Sequence, residues 1–137
     1  MRSSWRTFRP YRERELSRFL KRPESDYSQM RLLLDESVPA KLRRSLPSHA
    51  VRTVVELGWS GVKNGKLLAL AANDFDAFIT VDKNLPYQQN LKTLPVAILV
   101  LDAISNELSV LLPLLPELER QLAVLRPRTY VLVKAGA

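Results

Sequence analysis

The sequence predicts an α/β fold, a mainly parallel sheet of four to five strands with helices on both faces. Three observations predict it. Short apolar runs alternate with stretches of helical periodicity, the pattern of repeated βαβ units. Three of those runs, at residues 32–34, 77–81 and 96–101, are apolar on almost every position, as strands covered from both sides are. Each of the three then meets an acid: Asp35 and Glu36 after the first, Asp82 after the second, Asp102 after the third.

The elements follow in order. Residues 32–34 form a short buried strand bounded by polar residues. Ser37 is placed to cap a helix over residues 38–46, with Pro39 tolerated in its first turn. Residues 49–57 read as a second strand, Val51, Thr53 and Val55 alternating with Arg52 and Val54. Residues 58–65 are a glycine-containing loop. The next helix has Asn64 as its cap and turns Leu67, Leu68, Leu70 and Ala71 inward. Asp74 and Asp76 are turn residues before the third strand, 77–81. After the fourth strand, 96–101, Ser105 or Asn106 caps a leucine-rich helical region reaching about Leu125, which Pro113 and Pro116 break or kink. Its leucines 108, 111, 112, 115, 118, 122 and 125 share one face, as core or as part of a homodimer interface. Residues 128–134 are the last strand.

The chain has 137 residues, 46% of them apolar, which suits one domain with a real core. There is no cysteine, hence no disulfide framework and no thiolate metal site, and a reducing, cytoplasmic location is expected. No apolar run approaches the roughly 20 residues of a membrane span, so no membrane partner is expected. The net charge of +7 points to a polyanionic partner. Residues 1–29 carry eight Lys/Arg against four Asp/Glu, and residues 30–137 thirteen against ten. More than half of the excess therefore sits in a basic N-terminal extension, with residues 30–137 as the domain proper. Trp5, Phe8 and Tyr11 stand between its arginines, a composition able to stack and hold single-stranded nucleic acid. The plainer readings are a disordered charged tail, or an upstream start ahead of Met30.

In a parallel sheet, ligands bind outside the carboxyl ends of the strands. Asp35, Glu36, Asp82 and Asp102 should therefore share one rim. Clustered hard oxygen ligands suit Mg²⁺ or Mn²⁺. Such an ion activates water for attack on a phosphodiester. The plainer reading of each single acid is a solvated loop carboxylate or a helix cap. Other chemistries find little support. His49 is alone and sits at a strand start, which suits a structural role; zinc is not expected. Neither a G-x-S-x-G elbow nor a Walker-type loop is present.

The segments "MRLLLDESVPAKLRRSL", "ELGWSGVKNGKLLALA" and "FITVDKNL", in that order, resemble the DUF5615 PIN-like family of toxin-type nucleases. The resemblance covers about residues 30–124. It implies a Rossmann-like three-layer α/β/α PIN-type domain. It also implies metal-dependent RNA cleavage as the toxin of a toxin–antitoxin pair, with a cognate antitoxin protein as partner. Asp35 matches the acid that ends the first strand, and Asp82 the first acid of a T-x-D-x-D-F motif read here as Thr80-Val81-Asp82-Lys83-Asn84-Leu85. Asn64 and Asn84 stand where the family has Asp, and Leu85 where it has Phe. Two of four expected acids are thus amides, which weakens a site held together by charge.

Two main readings follow, with a third behind them. In the first, a Mg²⁺- or Mn²⁺-dependent ribonuclease uses Asp35 and Asp82 as catalytic ligands, and Glu36, Asn64 and Asn84 as secondary metal contacts. Arg43, Arg44, Lys63, Lys66 and Lys83 then hold the RNA backbone. In the second, a degenerate PIN-like module binds RNA or a protein partner without cleavage. For the two amide positions, Glu36 or Asp102 is the candidate to compensate, and Lys83, between Asp82 and Asn84, the candidate to offer Asp82 a cation instead. The third is a receiver-like domain, which needs a lysine such as Lys134 on the acidic rim.

Overall fold

The structure is a computed structural model that describes residues 29–135. The aromatic-arginine pattern of the basic extension lies outside the described residues. Five strands form one sheet: β1 (Arg31–Leu34), β2 (Ala50–Thr53), β3 (Ala77–Thr80), β4 (Ala97–Leu101) and β5 (Tyr130–Val133). Their order is β2-β1-β3-β4-β5 and every pairing is parallel. The helices are α1 (Asn64–Ala72), α2 (Leu108–Leu111) and α3 (Leu115–Ala123), joined by 3-10 turns at Ala40–Ser45, Leu85–Gln88 and Leu112–Leu114. The expected three-layer α/β architecture is therefore present. Among the described residues, no helix is long and apolar enough to cross a membrane.

Strand alternation splits the core into two layers. On one face Leu32, Leu34, Ile79, Leu99 and Val133 pack with Leu42 of the first 3-10 turn and with Leu111, Leu118 and Leu122 of α2 and α3. On the other, Leu33, Phe78, Ile98 and Val100 pack with Leu67, Leu68 and Ala71 of α1. The central strands β3 and β4 are buried at every position, which their apolar sequences require. Each such Leu or Ile side chain contributes about 1.5–3 kcal/mol of burial.

Several local expectations are corrected. Ser37 does not cap a helix; the segment after it is a 3-10 turn whose N-cap is Pro39, and the Ser37 hydroxyl is used elsewhere. The N-cap of α1 is Lys63, and Asn64 is its first residue. The C-terminal helical region starts after Glu107, not at Ser105 or Asn106. It is broken at Pro113 by a 3-10 turn, as expected, and resumes with Pro116 in the first turn of α3. Leu112 is exposed, and Leu114 takes the buried position in its place, because the 3-10 turn shifts the helical phase.

The second strand ends four residues early, at Thr53. The cause is Glu56. Its carboxylate accepts the Thr53 N–H at 2.8 Å, while its own N–H donates to Thr53 Oγ1 at 3.1 Å. This reciprocal pair turns the chain, and Val54 and Leu57 enter the core from the turn. Arg43 and Arg52 then clamp the same carboxylate at 2.9 and 2.7 Å. Burial pushes the Glu56 carboxyl up. The hydrogen bond from Arg52, that from the Thr53 N–H and the charges of Arg52 and Arg43 outweigh it, leaving Glu56 below its usual value of 4.5. A depressed carboxyl stabilises the fold above its unfolded value, and that contribution is lost as pH falls through the lower folded value. Thermal melts should therefore fall below pH 4.5 less steeply in Glu56→Gln than in the parent. Identical profiles would remove Glu56 as the cause.

His49 is structural. It is buried at the start of β2; its Nδ1 accepts the Met30 N–H at 3.0 Å and Nε2 donates to Glu119 Oε1 at 2.7 Å. Asp76 is a turn residue that also ties β3 to β1. Its carboxylate grips the Arg31 guanidinium at 3.0 Å and the Arg31 N–H at 2.8 Å.

Candidate functional site

The sheet order fixes where the site lies. The chain leaves β1 for β2 on one side, then returns to place β3 on the other. The switch in strand order therefore falls between β1 and β3, where such sheets open a crevice at their carboxyl ends. Leu34 of β1 pairs with Ile79 of β3, and the Asp35 N–H donates to the Ile79 carbonyl at 2.9 Å. Asp35 thus stands beside Thr80, and Asp82 two residues beyond it. Thr80 pairs with Val100 of β4, so Asp102 ends the next strand along. The acids do share one rim.

Thr80 is the hub of that rim. It is fully buried, and its hydroxyl donates to Asp35 Oδ2 at 2.8 Å. The Ser37 hydroxyl donates to the same oxygen at 2.7 Å. With both protons directed at Asp35, each hydroxyl oxygen accepts from the backbone after β3. Thr80 Oγ1 accepts the Asp82 N–H at 3.0 Å and Ser37 Oγ the Val81 N–H at 3.3 Å. The 3.3 Å approach between the two hydroxyls then has no proton of its own. Asn106 reaches across from the β4–α2 loop and donates to the Ser37 carbonyl at 3.1 Å. Asp35 and Asp82 are thus linked through one threonine. The Asp82 carboxylate accepts the Asn84 N–H at 2.9 Å, closing a tight turn before the 3-10 segment.

The remaining candidates disperse. Glu36 is exposed and accepts a long 3.4 Å contact from the Gly61 N–H. Asn64 donates to Gln88 Oε1 at 3.4 Å, joining the start of α1 to the 3-10 turn after β3. Asn84 is exposed. Lys83 does not offer its cation to Asp82: its ammonium pairs with Asp102 Oδ1 at 2.8 Å. The Lys83 hydrogen bond, then the charges of Lys83 and Lys134, outweigh desolvation and hold the Asp102 carboxyl below its usual range. Lys134 thus acts on this rim through Asp102, at the far strand of the crevice. Of the expected RNA-binding cations, Lys63, Lys66 and Arg44 are exposed, whereas Arg43 is engaged by Glu56 and the Val51 carbonyl.

The residues do not fit a closed metal centre. Among the described residues, no three His, Cys, Asp or Glu side chains come together in a way that could hold a metal ion. Asp35 Oδ2 already accepts two hydroxyl protons, and Asp102 is ion-paired. Asp35 and Asp82 remain as two carboxylates on one rim, with amides at positions 64 and 84. Sequence reasoning missed Ser37 and Thr80 as site residues. A buried hydroxyl two positions ahead of Asp82 was the available signal.

Comparison with known proteins finds no matching family model, no matching curated protein and no matching solved structure.

Proposed function

We propose that the chain is a PIN-like module that binds RNA at the carboxyl rim of its sheet without hydrolysing it. The observation that carries this reading is the Lys83–Asp102 ion pair, 2.8 Å long and set within the acidic rim. It neutralises one acid with a residue of the chain itself, where a divalent ion would need that charge unpaired. Amides at positions 64 and 84 act in the same direction. The excess of positive charge over the chain, +7, and exposed Lys63 and Lys66 beside the crevice supply the attraction for a phosphate backbone.

The second reading is a Mg²⁺- or Mn²⁺-dependent ribonuclease acting as a toxin held in check by an antitoxin. One observation favours it: Asp35 and Asp82 stand beside the strand-order switch, the Asp35 carboxylate and the Asp82 N–H both bonded to the buried Thr80 hydroxyl.

One experiment separates them. A labelled RNA pool is titrated by anisotropy, then incubated with Mn²⁺ or EDTA. The expected result is salt-sensitive binding that weakens in Lys63→Glu/Lys66→Glu, with intact RNA under both conditions. Asn64→Asp/Asn84→Asp is then expected to gain metal-dependent cleavage. Cleavage by the parent that vanishes in Asp35→Ala/Asp82→Ala would overturn the non-hydrolytic reading in favour of the second. No measurable RNA binding would sink both.

A further inference from the structure

The opposite end of the sheet carries a second concave surface. Two cavities of about 280 and 560 Å³ adjoin there and share Pro95, Pro127 and Arg128 in their walls. The smaller also includes Arg126, and the larger Lys92. Residues 92–95 lead into β4 and residues 126–128 into β5, so this groove lies at the amino-terminal edge of the strands, away from the acidic rim.

Its charge is one-sided. Lys92, Arg126 and Arg128 are exposed, and among the described residues none of the three forms an ion pair. The acid within reach, Asp76, is already held by Arg31 at 3.0 Å, which cancels both charges. Three cations therefore face a groove whose own carboxylate is neutralised.

The backbone at the junction of the two cavities is also unusual. Arg128 has φ of 58°, the one positive value at a non-glycine residue among those described. An L side chain rarely adopts that conformation, and a glycine would do so without strain. The turn is braced by the Thr129 hydroxyl, which donates to the Arg126 carbonyl at 2.8 Å. An arginine is thus kept where the backbone alone would favour glycine, and strain of this kind concentrates at ligand sites. Guanidinium groups recognise phosphate oxygens through paired N–H donors. The larger cavity, about 560 Å³, lies within the size range of small-ligand sites.

We propose that this groove binds a phosphoryl group, carried either by an RNA strand or by a free nucleotide, through Arg126, Arg128 and Lys92.

The test uses the full chain, isotopically labelled and titrated with 5′-AMP, adenosine and an RNA decamer. The variants are Arg128→Gly, which suits the left-handed backbone and so separates lost binding from lost folding, and Arg126→Ala/Arg128→Gly. The backbone amide signals of Arg126, Arg128 and Thr129 should move with 5′-AMP and stay still with adenosine. The double variant should weaken 5′-AMP binding roughly tenfold or more, as the loss of charge-assisted pairs predicts. If an RNA strand is the source, the decamer moves the same amides. The slope of log affinity against log salt then falls by about 1.4 in the double variant, roughly 0.7 for each phosphate contact on a single strand. If a free nucleotide is the source, the decamer leaves those amides and that slope unchanged while 5′-AMP moves them. Still signals with both 5′-AMP and the decamer, or equal 5′-AMP affinity in parent and double variant, would overturn the proposal.

Discussion

Phe78→Ala is expected to lower the unfolding free energy by about 3–5 kcal/mol, read as a drop in urea midpoint at constant slope. Phe78 is fully buried in β3 and heads the largest fully buried side chains. Leu33 of β1 and Ile98 of β4 flank it in register, and α1 closes over it. Truncation removes its transfer energy and leaves a void that three rigid elements cannot collapse to fill. A domain of this kind has a total stability of about 5–15 kcal/mol, so the variant should approach the edge of folding. Phe78→Leu keeps most of the volume and should stay within roughly 1.5 kcal/mol. Equal losses for the two variants would mean that packing volume is not what Phe78 contributes.

Thr80→Val is expected to cost about 1.5–3 kcal/mol although it barely changes volume. The hydroxyl is fully buried and makes two bonds, donating to Asp35 and accepting the Asp82 N–H. Valine satisfies neither group, and the bond to Asp35 is of the charge-assisted kind. Thr80→Ser should recover most of the loss, because it restores the oxygen and the proton. Amide exchange at Asp82 should quicken in the valine variant and not in the serine variant, since the Asp82 N–H is bonded to that oxygen. An unchanged exchange rate in Thr80→Val would show that the rim is held by other contacts.

The fold was legible because it rests on period and burial. The three apolar runs that became β1, β3 and β4 read as strands covered on both faces, and they pair in parallel, with α1 between β1 and β3 and a 3-10 turn between β3 and β4. The rim was legible in part for the same reason: acids placed directly after buried strands must share an edge. The fine structure was not. Ser37 reads as a helix cap in sequence because that is the commonest use of a serine before a proline-led turn, and only the approach of β3 reassigns its hydroxyl to Asp35. Lys83 lies next to Asp82 in sequence, yet successive residues diverge and its long side chain reaches Asp102 instead. The early end of β2 depended on Arg43 and Arg52 converging on Glu56, a meeting that spacing alone does not reveal. The groove at the other end was not legible because Arg128 reads in sequence as the first residue of the last strand, whereas β5 starts at Tyr130 and Arg128 stands in the turn before it with φ of 58°.

The strand order also governs how the chain must assemble. β1 sits inside the sheet, and its partner on one side, β3, follows it by more than forty residues; the Thr80–Asp35 and Asp76–Arg31 bonds that join them each span 45 positions. No strand in this sheet can pair through a local hairpin, because all four pairings are parallel. Chain closure over long loops has to precede nearly every stabilising contact, which places folding toward the slow, millisecond-to-second end for small domains. During synthesis, Leu32, Leu33 and Leu34 leave the ribosome well before the strand that will cover one edge of them. That interval is when this protein is most exposed to aggregation and has most use for a chaperone.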